Sequence, residues 1–150
     1  MFKLLSALIE QTSTTTSLNG PDTTNDMKTP TKPVCIIDEE TLTQLVFDTS
    51  ADAALSLVAF YVKDAKVRTI KLLQAAKEND YYTLEFEAHT LGSSAAAHGN
   101  SALSQLCRRI ERFCLNEHFD QAIDNTAQLE NIAKQSFLAL EMRLQQGFRT

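Results

Sequence analysis

The chain has 150 residues, enough for one domain with at most a tail, and its 43% hydrophobic and 22% charged residues are the balance of a globular protein. Its formal net charge of −5 argues against a protein that grips the phosphate backbone of a nucleic acid. No apolar run in the sequence approaches the roughly 20 residues that a transmembrane helix needs, so we expect no membrane association.

The cysteine content and the first residues indicate the cellular compartment. Three cysteines cannot form a complete set of disulfides, which favours a reducing environment. The apolar stretch that opens the chain is interrupted by Glu10, and no small-residue cleavage site follows it, so no secretory signal is predicted. We therefore expect a cytoplasmic protein.

Residues 1–34 are predicted to form a flexible tail that is rich in serine, threonine and proline. All three prolines of the chain lie in this segment, and serine and threonine supply ten of the 22 residues from Gln11 to Lys32. Such a composition has too little apolar surface to offset the entropy lost when a chain becomes ordered. Residues 35–147 are predicted to be a single domain.

Beyond the tail the chain contains no proline, and apolar residues recur every three or four positions, which predicts helices. Residues 38–48 predict a short helix with an acidic first turn. A long helix follows, capped by Ser50 or Asp52, and its apolar stripe extends over residues 55–76. The Asn-Asp pair at 79–80 is predicted to form the next turn.

Three more helices are predicted after this turn. The core face of the first consists of alternate small and large residues, namely Leu84, Ala88, Leu91 and Ala95. Gly99 is a natural residue to follow its end, and Asn100 or Ser101 begins the second. After a break at 116–120, one last helix is predicted to bury a stripe from Ile123 to Leu144. The sequence thus predicts an all-α fold, an up-and-down antiparallel four-helix bundle with an additional short N-terminal helix.

The helix at 81–98 carries an unusual outer face. At about 100° per residue, His89 lies about 140° from Leu84 and is predicted to point to solvent. Its neighbours within one or two turns are Glu85, Phe86, Gly92, Ser93 and Ala96. An exposed helix face normally carries long polar side chains, and glycine costs about 1 kcal/mol relative to alanine in such a position. We infer that the surface beside His89 is kept small so that another molecule can approach the imidazole.

The residues around this histidine resemble the histidine-containing phosphotransfer (HPt) domain. The family pattern is approximately A-H-x-L-K-G-S-S, followed by a glycine and by L-x-x-L, and its counterparts here are Ala88-His89-Thr90-Leu91, Ser93-Ser94, Gly99, Leu103 and Leu106. The resemblance covers about residues 38–145. This chain departs from the pattern at two positions, with Gly92 in place of the family lysine and Ser93 in place of the following glycine.

The resemblance implies a phosphorelay intermediate of a two-component signalling system. His89 would accept a phosphoryl group from an aspartyl phosphate on a receiver domain and pass it to a response-regulator aspartate. The implied partners are response-regulator receiver domains and a hybrid sensor histidine kinase, which would bind a monomer through the exposed side of the 81–98 helix and its neighbour. The chain itself would be a carrier without a kinase domain or cofactor, and Mg²⁺ is expected on the receiver.

Two features of the proposed site remain open from the sequence. Glu85, one turn before His89, is a candidate to accept a hydrogen bond from the ring and fix its tautomer. The positive charge of the missing lysine could come from another side chain, and the candidates are Lys63, Lys66, Arg108, Arg109 and Arg112. If no cation substitutes, the alternative is a degenerate bundle that binds receivers or other partners without carrying phosphate.

Other functional classes are weaker. The dimerisation helices of sensor kinases usually have an acidic residue after the histidine, where this chain has Thr90. No glycine-rich phosphate loop, nucleophile–histidine pair or metal-ligand spacing is found in the sequence, so a metal site is not expected. His98 is predicted to pack at the end of its helix, and Cys107 and Cys114 are predicted to be small core residues too far apart for a disulfide.

Overall fold

Six α-helices and no strand are found within residues 36–148, the part of the chain that the computed structural model describes. In chain order they are α1 (Glu39–Asp48), α2 (Ala51–Glu78), α3 (Tyr81–Ala97), α4 (Ser101–Leu115), α5 (Phe119–Thr126) and α6 (Leu129–Gln146). Helices α2, α3, α4 and α6 form the up-and-down antiparallel bundle, and α1 packs against α2 as the additional short helix. The predicted fold class is confirmed. The predicted tail, residues 1–34, and Cys35 lie outside the described residues.

The ends of the early helices form as the sequence predicts. Ser50 caps α2, because its Oγ accepts a hydrogen bond from the backbone N–H of Ala53 at 3.1 Å. Asn79 ends α2 in the left-handed region with φ of 55°, and the Asp80 side chain accepts from the Thr83 N–H at 3.2 Å at the start of α3. These contacts turn the chain sharply, so that α3 returns along α2.

Helix α3 packs between α2 and α4, which fixes the face that remains for function. Its predicted core residues are all fully buried, namely Leu84, Ala88, Leu91 and Ala95. On the α2 side Glu87 is also buried, and its Oε2 accepts from Nη1 of Arg68 at 3.0 Å. Contact with two helices buries a wider arc of α3 than a single apolar stripe would, and only one narrow side of the helix stays exposed.

Gly99 closes the turn between α3 and α4 and connects it to α1. Its φ of +74° lies in the left-handed region, where glycine is favoured, and an added Cβ would lie 2.9 Å from the carbonyl oxygen of Asp38. The Asp38 N–H in turn donates to the Gly99 carbonyl at 2.7 Å, and Leu42 of α1 is buried against the same turn. The predicted role of Gly99 in ending the helix is confirmed.

The prediction of one continuous last helix is wrong, because the chain breaks between α5 and α6. The N–H groups of Ala127 and Gln128 donate to carbonyls three residues earlier instead of four, both at 3.3 Å. The Asn125 side chain donates to the Gln121 carbonyl, and the Thr126 hydroxyl to a carbonyl three residues earlier, at 2.7 and 2.6 Å. Such side-chain bonds compete with the regular helical pattern and tighten the chain into a turn.

Candidate functional site

His89 stands on the exposed side of α3, held on a well-packed helix. Its side chain is 63% exposed, although the adjacent Ala88 and the nearby Leu91 are fully buried. The backbone that carries the imidazole is therefore fixed by the bundle core, while the ring itself is open to solvent. The prediction that the histidine faces outward is confirmed by this geometry.

The ring of His89 is oriented by a carboxylate of the neighbouring helix. Nδ1 of His89 lies 2.6 Å from Oε1 of Glu111 on α4, and the Glu111 side chain is only 18% exposed. An ionised carboxylate only accepts hydrogen bonds, so in the neutral imidazole the proton is on Nδ1 and Nε2 has the free lone pair. Within the described residues, Nε2 has no hydrogen-bond partner.

This contact corrects the assignment of Glu85, which does not provide the hydrogen bond to His89. Glu85 is partly buried on α3, and the carboxylate at Nδ1 is that of Glu111. The sequence does indicate Glu111 as the partner of His89 once α3 and α4 are taken to form an antiparallel hairpin about Asn100. Glu111 lies as far after Asn100 as His89 lies before it, which places the two residues side by side across the hairpin.

Gly92 does not lie on the exposed face of α3, contrary to the prediction that it is part of the outer face beside His89. It is buried against α4, where an added Cβ would be 3.2 Å from Cβ of Cys107. The Ser104 hydroxyl of α4 donates to the Gly92 carbonyl at 2.8 Å. Gly92 thus permits the close approach of the two helices that brings Glu111 to His89, and it presents no surface to a partner.

The exposed surface around His89 has two different halves. Toward the C-terminal end of α3 it carries the small residues Ser93 and Ala96, both exposed as predicted. Toward the other end it carries large apolar side chains, since Phe86 is 53% and Tyr82 is 81% exposed. Phe86 was predicted to lie beside the histidine, whereas Tyr82, which lies about two turns before His89, was not among the predicted neighbours.

The remaining histidine and cysteine candidates are structural. The His98 ring stacks on Tyr61 with centroids 4.7 Å apart, and its Nδ1 lies 2.7 Å from the Ser94 carbonyl oxygen, which confirms the predicted packing role. Burial raises the pKa of the Cys107 thiol to about 12 and that of Cys114 to about 11. Neither thiol is therefore a nucleophile near neutral pH.

Among residues 36–148 no group of three or more histidine, cysteine, aspartate or glutamate side chains is arranged to hold a metal ion. None of the six described helices has the length and apolar character that crossing a bilayer requires.

Two solved structures resemble this fold at low sequence identity. Histidine-containing phosphotransfer protein B from Pseudomonas aeruginosa PAO1 is similar with a TM-score of 0.69 at 20% identity, over 79% of this chain and 100% of that chain. A rice protein assigned as a histidine-containing phosphotransfer protein is similar with a TM-score of 0.57 at 19% identity, over 73% of this chain and 84% of that chain. At these identities the similarity is one of fold.

The sequence itself matches a family model. No curated protein matches the chain significantly. The model that describes the Hpt domain, however, matches residues 56–146, which include α3, α4 and the pair formed by His89 and Glu111. Because this match covers more than half of the sequence, the chain belongs to the Hpt domain family.

Proposed function

We propose that this chain is a phosphorelay intermediate in which His89 carries the phosphoryl group. It accepts the group from an aspartyl phosphate on the receiver domain of a hybrid sensor histidine kinase and passes it to a response-regulator aspartate. The observation that carries the proposal is the geometry of His89, an exposed imidazole on a rigid helix with Nδ1 bound to Glu111. Membership of the Hpt domain family supports the same reaction.

The hydrogen bond at Nδ1 leaves Nε2 as the nucleophile. In the transfer, the lone pair of Nε2 forms a bond to phosphorus while the bond between phosphorus and the receiver's carboxylate oxygen breaks. The electron pair of that broken bond stays on the receiver's carboxylate. No proton has to leave His89 during this step, and the reverse sequence of bond changes returns the group to a second receiver.

Glu111 acts as a positioning residue for His89. As the bond to phosphorus forms, the ring becomes positively charged, and the Glu111 carboxylate lies 2.6 Å from Nδ1, where it offsets this charge. The same hydrogen bond holds the plane of the ring, so that Nε2 is presented in one direction. Phosphoryl transfer depends mainly on in-line positioning and on charge stabilisation, and this pair contributes to both.

The two halves of the surface around His89 suit a receiver domain. The small side chains of Ser93 and Ala96 let the rim of an aspartate pocket approach the ring. The exposed Phe86 and Tyr82 offer apolar area that a partner can bury, and aromatic residues are typical of protein interfaces. The chain needs no cofactor for this reaction, since the Mg²⁺ that assists transfer is expected on the receiver.

The test is phosphate uptake from a panel of phosphorylated receiver domains. We compare the native chain with His89→Gln and with His118→Gln, a control that changes an exposed histidine at the start of α5. We expect uptake by the native chain and by the His118 variant, none by the His89 variant, and a product that is labile in acid and stable in alkali.

Two other results would contradict the proposal that His89 carries the phosphoryl group. Uptake that persists in His89→Gln would show that another residue carries the group. Binding to receivers without uptake by the native chain would instead favour the degenerate module, which recognises receivers but carries no phosphate.

A further inference from the structure

We propose that Arg108 on α4 supplies the positive charge that stabilises the phosphoryl group on His89, an inference that rests on the proposed function. The group brings about two negative charges to Nε2, and Glu111 adds another on the other side of the ring. Without a nearby cation these charges would disfavour the phosphorylated state. In the family pattern a lysine occupies the position of Gly92, and here that position has no side chain.

The stem of Arg108 occupies the space that Gly92 leaves open. Arg108 lies as far after Asn100 as Gly92 lies before it, so the two residues face each other across the hairpin. A Cβ added to Gly92 would lie 3.5 Å from Cγ of Arg108 and 3.6 Å from its backbone nitrogen. Gly92 is three residues from His89, a rise of about 4.5 Å, which the flexible remainder of an arginine side chain can span.

Arg108 is also free to bind an anion. It is exposed, and within the described residues it forms no ion pair or hydrogen bond through its side chain. Two other cations of the bundle are already paired, since Lys66 forms an ion pair with Glu141 and Arg68 donates to Glu87. A guanidinium is suited to phosphate, because its planar fork of donors matches two phosphate oxygens at once.

The positions of the three α4 arginines on their helix favour Arg108. At about 100° per residue, Arg108 lies about 60° from Glu111, whereas Arg112 lies about 100° and Arg109 about 160° from it. Glu111 marks the direction of His89 from α4, because the two side chains are hydrogen-bonded. Arg109 therefore points away from the ring and is a matched control with the same charge, helix and exposure.

The test measures an equilibrium, so that effects on partner docking do not enter. The probe is phosphoramidate in an ammonium buffer, which transfers its phosphoryl group to a histidine nitrogen as its own bond between nitrogen and phosphorus breaks and ammonia leaves. The ratio of phosphorylated to free chain is measured for the native protein and for Arg108→Gln, Arg108→Lys, Arg109→Gln and His89→Gln.

We expect Arg108→Gln to lower this ratio about fivefold, the factor expected for an exposed pair of unit charges a few ångströms apart in water. Arg108→Lys should restore most of the ratio, and Arg109→Gln should leave it unchanged. An unchanged ratio in Arg108→Gln, or an equal loss in Arg109→Gln, would overturn this inference while leaving the proposed function intact. Labelling of His89→Gln at the native level would overturn the proposed function itself.

Discussion

Removing the charge of Glu111 should slow phosphoryl uptake without unfolding the protein. Glu111→Gln keeps the size of the side chain and an oxygen that can accept from Nδ1 of His89, 2.6 Å away, but loses the negative charge. Hydrogen bonds to charged groups are worth about 1.5–3 kcal/mol, and the 63% exposure of the histidine favours the lower end. Because glutamine keeps a neutral hydrogen bond worth about 0.5 kcal/mol, the loss in the transition state is about 1 kcal/mol, which corresponds to uptake about fivefold slower.

The assay is the initial rate of uptake from one phosphorylated receiver at saturating concentration. Glu85→Gln is the control, since Glu85 is a carboxylate one turn from His89 on its own helix but is not bonded to the ring. We expect Glu85→Gln to retain the native rate. A native rate in Glu111→Gln, or an equal loss in Glu85→Gln, would refute the positioning role of Glu111.

Three further predictions concern packing, docking and the thiols. Gly92→Val should destabilise the fold by about 1–3 kcal/mol in urea unfolding, because its Cβ would meet Cβ of Cys107 at 3.2 Å, and native stability would contradict the buried position. Phe86→Ala should weaken receiver affinity about tenfold in calorimetry and leave the phosphoramidate equilibrium unchanged, and a change in both would contradict a docking role. In a Cys35→Ser chain at about pH 8, Cys107 and Cys114 should react with a disulfide reagent only after unfolding, because burial raises both pKa values and keeps the thiols protonated.

The bundle was predictable because its signals are local. The apolar spacing along each helix, the Asn79-Asp80 turn and the glycine after α3 act through residues that are close in sequence. The end of α5 was not predictable from these signals. There the apolar stripe continues, and the break arises from side-chain hydrogen bonds of Asn125 and Thr126 that compete with the helix.

The site was only partly predictable because it is assembled from two helices. A helical wheel places His89 relative to the core of its own helix, and that placement agrees with the structure. It does not reveal what the next helix contributes, so it points to Glu85 on the same helix and not to Glu111 on α4. The same limit explains why the burial of Gly92 was not predicted. On the helical wheel Gly92 lies outside the core stripe of α3, but in the structure it is part of the contact between α3 and α4.

Locating the phosphoryl group on the protein decides whether His89 is the carrier. Phosphorus and nitrogen NMR of the phosphorylated chain, with ring-labelled histidine, identifies both the residue and the ring atom. We predict a single phosphohistidine, with the group on Nε2 of His89 and the proton retained on Nδ1 beside Glu111. A phosphoryl group on Nδ1 of His89, on another histidine or on a carboxylate would contradict it.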